Sequence, residues 1–271
     1  WGPMTEVRQV PVPNTRTRVD IWQDAPALHF YLCDSMASDG TNWDCCTRGF
    51  YKAALADLKA ETGLDFVAAY EHEFMLMDDP VPAAPSFTIE TMRNVAGFTR
   101  DVTRGLLQAQ VGLETVEPEF GEHQYEITCA PAVGVQAAER AIITREVIRE
   151  CARRLGYRAT FTPKVAPDGI GNGAHVHFSL NDGRGRNITH DPDGLHGASR
   201  LAQQFIAGVT RHMPAMCALT SPSPVSYLRL GPHHWSCGYA SFGVQNREAS
   251  IRICPSPERD PAKASKAFNL E

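Results

Sequence analysis

The chain has 271 residues, 43% of them apolar and 21% charged, with a formal net charge of −5. That is the make-up of an ordinary globular protein long enough to bury a sizeable core, with no basic stripe for nucleic acid. No run approaches the ~18 uninterrupted apolar residues of a membrane span, and the start at Trp1-Gly2-Pro3-Met4 lacks the basic-then-apolar pattern of a secretory signal.

Apolar residues at helical spacing predict helices over about 49–62, 88–112, 135–155 and 197–217, with Gly63 and Gly156 placed as C-terminal glycines. Strand-like runs fall at 29–33, 66–77, 124–129, 158–163, 174–180, 225–230 and 248–254. The stretch 180–195, rich in Gly, Asp, Asn and Pro, reads as hairpin and loop, and 255–261 as a polar, Pro-containing connector. Strands arrive singly and in hairpins rather than in βαβ alternation, which predicts an α+β fold with a mainly antiparallel sheet flanked by helices. The eight cysteines (Cys33, Cys45, Cys46, Cys129, Cys151, Cys217, Cys237 and Cys254) form no CxxC pair. Most lie in apolar segments, so reduced thiols and a cytoplasmic location are expected. The vicinal Cys45-Cys46 reads either as a redox pair or as inert packing.

Three polar constellations interrupt this pattern. In Tyr70-Glu71-His72-Glu73-Phe74, strand alternation puts Glu71 and Glu73 on one face. Two like charges there are costly unless a cation neutralises them or the strand is a solvated edge. Next, Glu117-Pro118-Glu119-Phe120-Gly121-Glu122-His123-Gln124-Tyr125-Glu126 sets further carboxylates around a glycine turn. Third, Gly171-Asn172-Gly173-Ala174-His175-Val176-His177-Phe178-Ser179 places His175, His177 and Ser179 on one strand face, as metal or phosphate contacts or as core histidines. Glu and His without thiolate suit Mg²⁺ or Mn²⁺ better than structural zinc. Arg229, Arg247 and Arg252 offer planar forks for carboxylate or phosphate, Arg252 from between two isoleucines. No GxxxxGK[ST] loop occurs, so any ATP site is of another architecture.

Taken in order, these segments resemble the catalytic domain of the glutamine synthetase family along nearly the whole chain. That family carries an E-x-E strand, two glutamates around a glycine turn, an N-G…H-x-H-x-S strand, an arginine loop, an N-R-x-x-x-x-R-I strand and a final glutamate. The resemblance implies a first metal site at Glu73, Glu119 and Glu126, and a second at Glu71, His175 and Glu271, for two or more Mg²⁺ or Mn²⁺ ions. It implies amino-acid substrate contacts at Asn172, Gly173 and Arg229, and ATP contacts at His177, Ser179, Arg247, Arg252 and Lys266. The implied reaction is an ATP-dependent ligation of a glutamate-like acid to ammonia or an organic amine through an acyl phosphate. The implied assembly is a ring-shaped homo-oligomer of the full-length protein, with no nucleic-acid or membrane partner.

Two positions depart from the pattern. Trp235 stands where ammonia-using members carry a flap glutamate, and Asn269 where they carry a phosphate-side arginine. The spacer between Asn172-Gly173 and His175 is also shorter than usual. A tryptophan can wall off an organic amine but cannot act as a base, which favours the γ-glutamyl-amine ligases of the family; His233 or His234 would then be the base candidates. The resemblance further implies that residues 1–21 are a linker or remnant of the family's N-terminal domain, that 22–271 form the catalytic domain, and that a C-terminal helical region lies outside the chain. A non-catalytic structural relative is the competing reading. A metal-dependent hydrolase is disfavoured by the arginine set.

Overall fold

The computed structural model describes residues 6–236, 238–256 and 258–271; Trp1–Thr5, Cys237 and Pro257 lie outside them, and with them the reading of the N-terminus and of one cysteine. Four short strands open the chain: β1 (Val7–Pro11), β2 (Thr17–Val19), β3 (Leu28–Phe30) and β4 (Cys33–Ala37). β1 pairs antiparallel with β4, and β2 with β3. The single strand predicted at 29–33 is thus a break between two. Pairing runs across residue 21, and Val19 is fully buried in the main core, so residues 7–19 are built into the same structure as the residues after 21.

Helix α1 (Thr47–Thr62) starts on Cys46, whose Sγ accepts the Gly49 N–H, and ends on left-handed Gly63 as expected. Arg48 of this helix bridges Asp34 of β4 and Glu139, each at 2.5 Å, tying the N-terminal strands to the core. The long strand β5 (Asp65–Met77) comes next. The helix predicted at 88–112 is two, α2 (Ile89–Asn94) and α3 (Ala96–Gln108), because Val95 leaves helical geometry at φ −109, ψ 26. β6 (Leu113–Pro118) has no counterpart among the predicted strands; it is an edge strand whose Glu114, Thr115 and Glu117 face solvent, so it carries no apolar alternation. Then come β7 (Gln124–Cys129), β8 (Ala132–Val133), α4 (Val135–Arg154), β9 (Arg158–Thr160) and β10 (Ala174–Asn181).

β5 is the spine of the main sheet, ordered β10-β5-β7-β6, with β8 and β9 also paired to β5 and every pairing antiparallel. One face of this sheet is apolar. Phe74, Leu76, Tyr125 and Ile127 pack against Phe98, Val102 and Leu106 of α3 and Val147, Ile148 and Cys151 of α4. Gly105 makes that approach close, since a Cβ there would lie 2.9 Å from Val147 Cγ1. A second core joins Phe178 of β10 to Ala202 and Ile206 of α5 (Arg200–Thr220), which Ser199 caps. The other sheet face is left for polar chemistry.

The segment read as a strand at 225–230 is instead one helical turn, α6 (Ser226–Arg229). Its apolar Tyr227 and Leu228 are exposed, so no sheet neighbour draws them into an extended ladder. The strand expected at 248–254 contracts to β12 (Ile251–Ile253), parallel to β11 (Phe242–Val244), and α7 (Pro261–Ala267) precedes the last residues. Leu270 bridges Phe178 and Ile253, which brings the C-terminal residues onto β10 and β12. The arrangement is the expected α+β fold with a mainly antiparallel sheet. No helix among the described residues is long and apolar enough to cross a membrane, and the described cysteines are free thiols.

Candidate active site

Register builds the site. In β5, Glu71 pairs with His175 of β10 and with Thr128 of β7, while Glu73 pairs with Glu126 of β7. Residues directly opposite on adjacent strands share a face, so Glu71, Glu73, Glu126, His175 and His177 line the polar side while His72 and Phe74 enter the core. Glu71, Glu126 and His175 offer ligand atoms all within 4.8 Å of one another. His175 Nδ1 lies 3.4 Å from Glu71 Oε2 and 4.0 Å from Glu73 Oε1.

The electrostatics fit a hard divalent cation. Burial, together with the charges of Glu71 and Glu73, pushes the Glu126 carboxyl up to about 8. Glu119, whose Oε2 accepts the Phe120 N–H, is also raised, by burial and by the charges of Glu73 and Glu117. Burial acts to raise Glu71 as well, but the adjacent imidazoles of His175 and His177 and their charge hold it well below the usual range. Against the opposing effect of burial, His175 is raised by Glu71, Glu73 and Glu271. His177 is likewise pushed up to about 11, by Cys254, Glu71 and Asn269. A buried carboxyl, Glu126, that holds its proton at neutral pH while further carboxylates and an imidazole converge on it matches the preferences of Mg²⁺ or Mn²⁺.

Glu271 reaches the same face from the C-terminal residues. Its backbone pairs with Arg252, N–H to O at 3.0 Å and O to N–H at 2.8 Å, and its Oε2 accepts from the Arg252 guanidinium. His177 Nε2 stands 3.0 Å from Glu71 Oε1 and 3.3 Å from Glu271 Oε2, so Glu271 joins the cluster through His177. Arg252 is therefore committed to a carboxylate, and Asn269 Oδ1 sits 2.9 Å from His177 Nδ1.

Arg229 is brought in by α6. A Cβ on Gly173 would lie 2.7 Å from Arg229 Nη2 and 2.9 Å from His175 Nε2, so the guanidinium rests directly on the glycine. Lys164, buried, holds α6 in place by donating to Leu228 O at 3.2 Å. The Gly173 N–H donates to Glu73 Oε2 at 2.7 Å. Asn172 is buried, with its amide donating to Thr162 O and accepting from Gln124, so its side chain fastens the turn rather than facing the cleft. Trp235 is exposed and meets Phe120, the neighbour of Glu119, edge-to-face at 5.2 Å. Ser179 continues the β10 face, its Oγ 3.3 Å from Asn181 Oδ1. Arg247 and Lys266 are exposed, and their side chains make no hydrogen bond or ion pair among the described residues.

Four contributors carry no site role in the sequence reading: Gln124 and Glu117, which lie within the second polar constellation, and Lys164 and Cys254, which lie outside all three. Gln124 is hidden by its place in a strand run; its Nε2 reaches Gly171 O at 2.8 Å and Asn172 Oδ1 at 2.9 Å, with Glu73 Oε2 at 3.3 Å. Its parity with Glu126, two residues along β7 on the polar face, is the signal the sequence offers for it.

Comparison with known proteins agrees. The profile described as glutamine synthetase, catalytic domain, matches residues 44–266. A gamma-glutamylpolyamine synthetase of Streptomyces coelicolor is 32% identical over 229 residues, covering 81% of this chain and 49% of that protein. A glutamate–isopropylamine ligase of a Pseudomonas species is 29% identical over 251 residues, covering 87% and 54%. A crystal structure described as a novel glutamine synthase homolog superposes with a TM-score of 0.93 at 41% identity, over 100% of this chain and 64% of that one. The chain spans about half the length of these two curated relatives. It belongs to the glutamine synthetase family.

Proposed function

We propose that the protein is an ATP- and Mg²⁺-dependent ligase that joins a glutamate-like acid to an organic amine, with ammonia as the poorer nucleophile. The observation that carries this reading is the convergence of Glu71, Glu73, Glu126 and His175 on one sheet face, with the Arg229 guanidinium resting on Gly173 beside them. Two relatives named for amine ligation, to polyamine and to isopropylamine, support the choice of nucleophile.

In this reading Glu73, Glu119 and Glu126 hold one Mg²⁺ or Mn²⁺, and Glu71, His175 and Glu271 a second. Bound there, the ions supply neutralisation of the ATP phosphates. Arg229 captures the α-carboxylate of the acid over Gly173 and aims its side-chain carboxylate. That carboxylate attacks the terminal phosphorus of ATP and ADP departs; the amine nitrogen then attacks the acyl carbon and phosphate leaves. The amine gives up its proton to a base, for which His233 and His234 are the candidates on the Trp235 loop. Trp235 and Phe120 form an apolar wall that suits an alkyl or polyamine chain and excludes water. His177, Ser179, Arg247, Arg252 and Lys266 are assigned to the nucleotide side, Arg252 by sharing its guanidinium between Glu271 and phosphate. Free thiols suit a cytoplasmic protein, and family likeness suggests a ring-shaped homo-oligomer of the full-length protein.

The test is phosphate release by the full-length protein with ATP, Mg²⁺ and glutamate, screened across ammonia, methylamine, ethanolamine and polyamines. Release stimulated by an organic amine more than by ammonia supports the proposal. Equal or better use of ammonia removes the role given to Trp235. No turnover with any amine favours a non-catalytic relative, for which Trp235 and Asn269 at chemically important positions would be the reason.

A further inference from the structure

Beside the hard-ion cluster lies a second group of different chemistry. Cys254 Sγ is 3.6 Å from His177 Nδ1 and 3.6 Å from Glu271 Oε2, and the ligand atoms of His177, Cys254 and Glu271 all fall within 4.8 Å of one another. Three separate pieces of chain deliver them: β10, the residue after β12, and the C-terminal residues. Their pairing is fixed by backbone hydrogen bonds, Cys254 N–H to Asn269 O at 3.2 Å and the reciprocal pair between Arg252 and Glu271. His177 Nε2 is buried and aligned for a hydrogen bond with no neighbour, although Glu71 Oε1 and Glu271 Oε2 lie close by. On the other side of the ring, Nδ1 lies 2.9 Å from Asn269 Oδ1, and an ion takes whichever ring nitrogen gives up its proton. Tetrahedral zinc, with bonds of about 2.0–2.3 Å to nitrogen, oxygen and sulfur, puts neighbouring ligand atoms about 3.4–3.6 Å apart. The Cys254 Sγ–Glu271 Oε2 separation of 3.6 Å and the His177 Nε2–Glu271 Oε2 separation of 3.3 Å are close to that spacing.

We propose that His177, Cys254 and Glu271 form a site for one thiophilic divalent cation, Zn²⁺ or Co²⁺. This assignment does not depend on the ligase reading. A thiolate selects zinc or cobalt over Mg²⁺, whereas the all-oxygen-and-imidazole group at Glu71, Glu126 and His175 has no such preference. On binding, the Cys254 thiol loses its proton to solvent as the sulfur–metal bond forms. The ion competes with the Arg252 guanidinium for Glu271, so occupancy takes Glu271 and His177 away from any other duty.

The experiment is a Co²⁺ titration of the metal-free protein, followed by absorption in the near ultraviolet, where thiolate-to-cobalt charge transfer appears. The wild-type protein should develop this band and saturate at one equivalent, and Zn²⁺ should displace it. Cys254→Ser should lose the band with an unchanged circular dichroism spectrum. Cys45→Ser, which removes an exposed thiol, should keep it, as should Glu126→Gln. Glu271→Gln should weaken the affinity by about tenfold or more. A wild-type protein without the band, or a folded Cys254→Ser variant that retains it, would overturn the proposal. Because Glu126→Gln disables the hard-ion group, its effect on ligation and on this band separates the two readings.

Discussion

The Trp235 N–H donates to Glu248 Oε1 at 2.9 Å, and the His233 N–H donates to Oε2 of the same carboxylate at 3.1 Å. Both residues hold positive φ, 48° and 65°, a conformation that costs a non-glycine residue about 1 kcal/mol or more. Glu248 thus offsets strain in the loop that presents Trp235. Replacing it with alanine is expected to loosen residues 231–236, seen as faster amide exchange there. On the proposed reaction it should raise the KM for the amine about tenfold while leaving the KM for ATP near its original value. An unchanged exchange rate in that loop would refute the anchoring role.

Trp235 itself is half exposed, and its edge-to-face contact with Phe120 is of a kind that contributes about 0.5–1.5 kcal/mol. Trp235→Ala should therefore leave the melting temperature within a few degrees of wild type but lower kcat/KM for large amines about tenfold. Trp235→Glu supplies a carboxylate at the wall and should shift preference toward ammonia. Side-by-side kinetics with ammonia and a polyamine decide this; an unaltered preference ratio in both variants would rule out a specificity role.

The carboxylate cluster makes a pH prediction whose sign is set by Glu126. Its folded-state pKa is raised to about 8, above the ordinary value of about 4.3. Between those values the folded state binds the extra proton, so stability is highest in acid and falls as pH rises through about 8. Without metal, Glu126→Gln should be more stable than wild type at pH 8 by about 2–4 kcal/mol, and equal to it near pH 4. Mg²⁺ should close the gap by stabilising only the wild type. Denaturant melts at the two pH values, with and without Mg²⁺, measure it; a wild-type protein that gains stability from pH 5 to 8 without metal would contradict the assignment.

Much of this geometry is legible in the sequence because strands encode faces by parity. Glu71 with Glu73, and His175 with His177, each have to share a face once the strands are recognised, and register then sets Glu73 against Glu126. What parity does not encode is which strands are neighbours. The His177–Glu271–Cys254 grouping depends on the C-terminal residues bridging β10 and β12, a contact spanning about 90 residues. The helical turn at Arg229 mimics a strand in sequence because its apolar residues suggest burial, whereas they face outward. Edge strand β6 hides for the opposite reason: its outward residues are polar and its inward ones few.

Gln124 ties three parts of the site together and is almost wholly buried. Its Oε1 accepts from the Gly121 N–H at 2.8 Å, while Nε2 serves Gly171 and Asn172. Gln124→Leu leaves a backbone donor and two acceptors without partners, and should cost about 2–4 kcal/mol. Gln124→Glu keeps the acceptor but loses the donor, and adds a charge beside Glu73, so it should be at least as harmful without metal. Thermal melts of both variants test this; a loss below about 0.5 kcal/mol in the leucine variant would mean that the turn at 171–173 holds itself.

Gly173 offers the sharpest test of how the acid is held. The φ of this glycine is not in the left-handed region, so alanine is not strained by the backbone itself. Its Cβ would nevertheless lie 2.7 Å from Arg229 Nη2 and 2.9 Å from His175 Nε2. The Arg229 backbone is held by α6 and by Ser236 Oγ, which donates to its carbonyl at 2.9 Å, but the long side chain can swing, whereas His175 is fixed by strand pairing, so the guanidinium is the group that moves. Gly173→Ala should accordingly raise the KM for the acid about tenfold or more, with a stability change under about 2 kcal/mol. ATP binding in the absence of acid should be unaffected. Arg229→Lys, which keeps the charge but loses the planar fork, should reproduce the defect without touching stability. If the alanine variant binds the acid normally while the lysine variant does not, the guanidinium acts from a position other than the one over Gly173.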